Sequence, residues 1–228
     1  MMLSLKNISK SFGGIKAADK CTFDVENNTI TSLIGPNGAG KTTVFNIISG
    51  LTKSDSGKTI LKNNDITNLE PYNIAQAGIS RTFQLTKIFR NMSVRDNMLV
   101  AKKSGDEAIG KILRSVYFHK SLDTVASELS YGQQRLLEIA RALHMPHSLL
   151  MLDEPTAGVN PKTRQELKSI LRTLKKEGKT ILLIEHDMEF VMDISDKVIV
   201  MNEGSVLVEG PPKKVMKDRK VLEAYLGK

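Results

Sequence analysis

GPNGAGKTT, residues Gly35–Thr43, decides the fold of this 228-residue chain. It meets GxxxxGK[ST] at every fixed position, between a short apolar run at Thr29–Gly35 and a helical stretch at Lys41–Ser49. Strand, loop and helix in that order form a phosphate cradle. Gly35, Gly38 and Gly40 let the backbone fold tightly round an anion, and Pro36, Asn37 and Ala39 complete the loop. Consecutive N–H groups and the helix N-terminus then face the phosphates. Lys41 is expected to reach the β- and γ-phosphates, Thr42 to ligate Mg²⁺, and Thr43 to donate to the α- or β-phosphate. The implied ligand is ATP with Mg²⁺.

A second stretch, Leu149–Pro155 (LLMLDEP), reads as a buried strand ending in two carboxylates. Open α/β sheets bind ligands at the carboxyl ends of their strands. Neighbouring strand residues point to opposite faces, so the two acids are given different roles. Asp153 is expected in the Mg²⁺ shell, and Glu154 is expected to polarise or orient the attacking water.

The third stretch is Leu129–Gln133 (LSYGQ). Ser130 as N-cap and Gln133 three residues on make a capping box. Gly132 lies in the first helical turn, where propensity disfavours it. A helix N-terminus with a Ser hydroxyl and a Gly that leaves room also binds a γ-phosphate well. One cradle already serves this chain, so the second anion site is expected to serve another subunit's ATP.

Around these landmarks the pattern is α/β. Residues 2–30 alternate weakly, as an antiparallel sheet. Short apolar strands at 149–152 and 180–184 sit between helices at 131–144, 161–177 and 187–194, with Asn160 capping the second helix. Continuous apolar strands between helices imply a parallel sheet covered on both faces. From Leu85 to His144 the character is helical and interrupts that pattern. The fold class is therefore an α/β P-loop NTPase. It has a mostly parallel sheet, an N-terminal antiparallel β subdomain and an inserted α-helical lobe, with residues 1–84 and 145–228 as core and 85–144 as lobe.

Bulk properties limit the rest. Net charge is +8, which favours nucleotides, nucleic acid or an anionic membrane surface without choosing among them. The cluster Lys213, Lys214, Lys217, Arg219 and Lys220 reads as a solvated helix face. Cys21 is the single cysteine, so no internal disulfide forms. Residues 1–10 carry no apolar leader segment, and the longest apolar runs are too short to cross a bilayer. Any membrane role must come through a partner.

The cradle, Gln84 after an expected strand at Ile79–Phe83, LSYGQ, LLMLDEP and His186 after the strand Thr180–Ile184 stand in one order. That order and spacing resemble the nucleotide-binding subunits of ABC transporters over essentially the whole chain. The resemblance implies that Phe12 stacks on adenine, that Gln84 touches Mg²⁺ or the attacking water, and that His186 holds the γ-phosphate. It further implies that Ser130, Gly132 and Gln133 clamp the partner's ATP, and that residues 157–160 form a loop facing the second subunit, with Asn160 where Asp is commoner. Partners implied are a second ATPase subunit, identical or not, integral membrane permeases and a substrate-binding protein, with no nucleic acid. The location implied is the cytoplasmic face of the membrane. Segments at 11–17, 81–84, 89–94, 137–142 and 224–227 look most like branched-chain amino-acid importer ATPases. Urea-import and lipopolysaccharide-transport ATPases share the pattern. The segment between Gln84 and Ser130 is shorter than usual in that subfamily. A soluble ABC ATPase acting on nucleic acid or ribosomes is the reading from another class; it lacks the coiled coils, zinc modules or second cassette it would call for.

Overall fold

The structure, a computed structural model, describes residues 1–226. Gly227, which closes the 224–227 motif, and Lys228 lie outside the described residues. The chain opens with the antiparallel strands β1 (Leu3–Phe12) and β2 (Ile15–Val25). Strand β3 (Ile30–Ile34) leads into helix α1 (Lys41–Ile48). Strands β4 (Ser56–Leu61) and β5 (Asn64–Asp65), helix α2 (Pro71–Gln76) and strand β6 (Ile79–Arg81) follow. Next come helices α3 (Val94–Ala101), α4 (Asp106–Ser115) and α5 (Tyr131–His144), with a 3-10 turn at Ala126–Glu128. The alternation resumes with β7 (Leu149–Asp153), α6 (Pro161–Lys176), β8 (Thr180–Ile184) and α7 (Met188–Ile194). It ends with the hairpin β9 (Lys197–Asn202) and β10 (Ser205–Gly210), then α8 (Pro212–Val215) and α9 (Arg219–Leu226).

Two sheets result. One is antiparallel, in the order β2-β1-β4-β5. The other runs β10-β9-β3-β8-β7-β6 and is parallel from β9 to β6. All residues of β3, β7 and β8 are buried, because layers cover both faces. Strand alternation divides their side chains: Leu149 and Met151 join α1 and the antiparallel sheet in one core, while Leu150 and Leu152 join α5, α6 and α7 in another. Helix α1 is thus held between two sheets. Burial pushes the Cys21 thiol up to about 12, leaving it inert in the first core.

Strand order positions the site. Neighbours β3, β8, β7 and β6 all end on one side of the sheet. The chain then turns at Gly35, Glu185, Glu154 and Thr82 respectively. Helices α3 and α4 pack on α5, and their buried Val94, Met98, Ile109 and Leu113 merge with the core of Leu150, Leu152 and Leu167. The helical segment therefore shares a core with the sheet, through α5.

Three local details differ from the sequence expectation. The strand before Gln84 ends at Arg81, because Thr82 still bonds to Met151 but Phe83 turns to side chains of α5. Asp187 is the cap of α7 and not its first residue; its carboxylate accepts from the Phe190 N–H at 3.0 Å. The short β5 and the 3-10 turn carried no periodicity to announce them.

Candidate functional site

The cradle wraps the N-terminus of α1. Gly40 has φ +96°, and a Cβ there would lie 2.2 Å from the Ala17 carbonyl oxygen, so the loop can sit this close to β2 only with glycine. The Lys41 ammonium donates to the Gly35 and Pro36 carbonyls at 2.8 and 2.9 Å, arching back over the loop. Burial lowers its pKa from the ordinary lysine range, and the charges of Glu154 and Asp153 pull it back up. A cavity of about 280 Å³ is lined by Asn37–Thr43 and Ala17 on one side and by Gln84, Glu154 and His186 on the other. Thr42 is exposed at its edge.

Glu154 is the hub of the far wall. One carboxylate oxygen accepts from Gln84 Nε2 at 3.0 Å, and the other lies 2.9 Å from His186 Nε2. These residues follow β7, β6 and β8, three adjacent strands. Glu154 has φ +48°, a left-handed conformation that a glutamate adopts rarely. The chain thus leaves the strand at Asp153, and this twist, more than simple alternation, turns the two carboxylates apart. Asp153 does not line the cavity. It is buried beneath it and paired with Arg81 Nη2 at 3.0 Å. Burial pushes the Asp153 carboxyl up, and the Arg81 guanidinium opposes that shift.

The LSYGQ segment stands elsewhere. Ser130 and Gln133 form the expected capping box on α5, with the Gln133 N–H donating to Ser130 Oγ at 3.4 Å and the Ser130 N–H to Gln133 Oε1 at 3.0 Å. The Ser130 hydroxyl proton remains free to donate. Gly132 has a packing reason that sequence reasoning missed: a Cβ would sit 2.8 Å from Thr163 Oγ1, so α5 crosses α6 closely here. Ser130 and Gln133 open onto a separate cavity of about 380 Å³, shared with His119, Lys120, Asn160 and Lys162. Asn160 caps α6, accepting from the Thr163 N–H at 2.9 Å. Phe12 lies exposed at the end of β1, outside the cradle lining, with the Lys10 ammonium 5.4 Å from its ring centre.

Several buried polar residues behind the site were not foreseen. Arg81 also donates to Asn46 Oδ1 of α1 and to Oγ of Ser49, the C-cap of that helix, at 2.8 and 2.7 Å. Glu185 accepts from the Thr156 N–H and hydroxyl at 2.9 and 2.7 Å and from the His186 N–H at 3.1 Å. Burial raises its carboxyl pKa. Arg135 and Glu138 of α5 form a buried pair at 2.8 Å. An acid ending an otherwise apolar strand (TILLIEH) was the available signal for Glu185. Arg and Glu at i, i+3 beside the apolar stripe of α5 was the signal for the other pair.

A phosphate loop facing a carboxylate, an amide and an imidazole at the ends of parallel strands defines a P-loop ATPase. A sequence model described as "ABC transporter" matches residues 18–157, and one described as "Branched-chain amino acid ATP-binding cassette transporter" matches 205–228. The chain belongs to the ABC transporter family, as an ATP-binding subunit that hydrolyses ATP. It is 39% identical to the Escherichia coli (strain K12) high-affinity branched-chain amino acid transport ATP-binding protein LivG, covering 99% of this chain and 98% of that one. With the Pseudomonas aeruginosa protein BraF, of the same description, identity is 38% with the same coverage. Both alignments run over 249 positions, more than the 228 residues of this chain, so the relatives carry insertions relative to it. The crystal structure of the ADP conformation of MJ1267, an ATP-binding cassette of an ABC transporter, matches at TM-score 0.92 and 35% identity over 100% of this chain and 99% of that one. The dimeric structure of the cassette MJ0796 matches at 0.83 and 25%, over 92% and 99%.

Proposed function

We propose that this subunit powers import of branched-chain amino acids, as one of two ATPase subunits that close on ATP at their interface. The observation that carries the dimer is the separation of the two anion-binding elements. The cradle gathers Lys41, Thr42, Gln84, Glu154 and His186 round one cavity, whereas Ser130 and Gln133 open onto another. A helix N-terminus of that kind serves a nucleotide held by a second chain. The cargo reading rests on the descriptions of LivG and BraF and on the match over residues 205–228.

Each residue then has a task. The cradle N–H groups and Lys41 hold the phosphates, and Phe12 stacks on the adenine once nucleotide is bound. Glu154 orients the attacking water, with Gln84 and His186 fixing its two oxygens. Thr42 and Gln84 line the cavity and offer the oxygen donors a hard cation prefers, so they fit Mg²⁺, while Asp153, paired with Arg81 beneath them, would act on the cation from behind this pair. Magnesium would neutralise charge on the phosphate oxygens. Gln84 has its amide nitrogen on Glu154 and its carbonyl oxygen to spare. Ser130, Gly132 and Gln133 clamp the partner's γ-phosphate. Residues 85–144 act as the lobe that passes closure to the permease, and 1–84 with 145–228 as the nucleotide-binding core. Among the described residues no helix is long and apolar enough to cross a membrane, which fits a subunit held at the cytoplasmic face by permeases. A substrate-binding protein completes the system, and nucleic acid has no part in it.

The test is Glu154→Gln. Hydrolysis should fall by roughly two to four decades, while ATP binding persists and size exclusion with ATP and Mg²⁺ gives a dimer. A monomer under those conditions overturns the clamp. For cargo, a strain lacking this chain should lose leucine uptake; loss of urea uptake alone would overturn that assignment.

A further inference from the structure

We propose that Arg135 and Glu138 are positioning residues for ATP hydrolysis. From the helix that begins at Ser130, they grip the backbone around Gln84 and the carbonyl of Glu154, so that a shift of α5 moves the groups that orient water. Arg135 is completely buried. Its Nη1 donates to the Phe83 carbonyl at 2.8 Å and to Glu138 Oε2 at 2.8 Å. Its Nη2 donates to the Gln84 carbonyl at 2.8 Å and the Glu154 carbonyl at 3.3 Å. Glu138 Oε1 accepts from the N–H groups of Phe83 and Lys87, at 3.3 and 3.2 Å.

The segment between β6 and α3 has no regular structure to hold Gln84. Side chains of the helical segment hold it instead. Besides this pair, Arg141 of α5 donates to the Lys87 carbonyl at 2.7 Å, and Asn97 of α3 exchanges hydrogen bonds with the Phe89 backbone. Gln84 therefore has its backbone tied to α5 and its side chain on Glu154. A guanidinium is suited to this place, because its planar fork spans several acceptors at once. A buried ion pair is weak evidence for stability alone, which makes a role in geometry the better reason for it here. Ser130 caps the same helix five residues before Arg135, about 7.5 Å along its axis. Whatever seats that end also sets Arg135. This inference rests on the proposed role of Glu154 at the reacting phosphate.

The experiment compares two variants of the full chain. Arg135→Lys keeps the charge facing Glu138 and loses the fork. The double variant Arg135→Gln/Glu138→Gln removes both buried charges while position 138 keeps an oxygen for Phe83 and Lys87, guarding against misfolding. Steady-state hydrolysis and ADP affinity are measured for each. We expect kcat to fall about 10- to 100-fold in both, with KM for ATP and Kd for ADP within about threefold, as a loss of alignment requires. If the folded double variant keeps kcat within about twofold, or if ADP affinity falls in step with kcat, the proposal is overturned. Glu154→Gln is run alongside. If it retains hydrolysis, the reading of Glu154 fails; if it alone loses hydrolysis, only the positioning role fails.

Discussion

Replacing Arg81 with Met should unfold the molecule more readily, and by an amount that depends on pH in a defined direction. Arg81, on β6, joins three elements: its guanidinium reaches Asp153 at the end of β7 at 3.0 Å, and Asn46 of α1 and its C-cap Ser49 at 2.8 and 2.7 Å. Both members of the ion pair are buried, with side-chain exposures of 7% and 5%, so solvent screens little of the interaction. Methionine would fill much of the volume but leave Asp153 buried without its counter-charge. Breaking a buried pair from one side costs about 3–5 kcal/mol. For a chain of this size that lowers Tm by roughly 10 °C.

The pH dependence follows from Asp153. Burial already pushes its carboxyl up, and Arg81 pulls it back. Without Arg81 the folded-state pKa rises further above the unfolded value. The folded state then holds a proton that the unfolded chain has released, so stability falls as pH rises through that window. The penalty of the variant should be largest at about pH 8 and smaller at about pH 5.5. Urea unfolding at both values measures it. A loss under about 1 kcal/mol at both, or a larger loss in acid, would refute the reasoning.

Other expectations are more local. His186→Ala removes one of the two groups fixing Glu154 and should lower single-turnover hydrolysis by about two decades, with nucleotide affinity little changed. Gly132→Ala should destabilise the chain by about 1–3 kcal/mol, since its Cβ would press on Thr163 Oγ1 at 2.8 Å. Thr163→Ala in the same chain should recover most of that loss in a thermal melt. ATP affinity should weaken as pH rises through the lowered pKa of Lys41, because binding favours the charged ammonium that burial disfavours in the free protein. Titration with a fluorescent ATP analogue from about pH 7 to about pH 10 checks this, and a flat profile would count against Lys41 as the phosphate ligand.

How much of this was legible in the sequence depends on where each contact is encoded. The cradle is local: a strand, a fixed spacing of glycines and a helix start lie within one window, so Asn37–Thr43 could be named in advance, whereas Ala17 of β2, which joins them in the lining, could not. The same holds for the caps of α5 and α6, where Ser130 and Asn160 each act on a residue three positions away. The meeting of Gln84, Glu154 and His186 needed strand order, which comes from the sheet and not from any window; only the family pattern supplied it. Contacts such as Arg81 with Asn46, or Arg135 with Phe83 and Glu154, had no signal of that kind. A buried arginine looks like a surface arginine in a one-dimensional reading, because charge predicts exposure unless a partner is known. Yet those partners lie 35, 52 and 19 residues away. The site is therefore divided by sequence separation. Groups proposed to touch the nucleotide sit in short motifs, while the buried groups hydrogen-bonded behind them are spread along the chain. Mutations should divide the same way: changes in the motifs act on binding or on chemistry, and changes at Arg81 or Arg135 act on both ends of the sheet-to-helix connection at once.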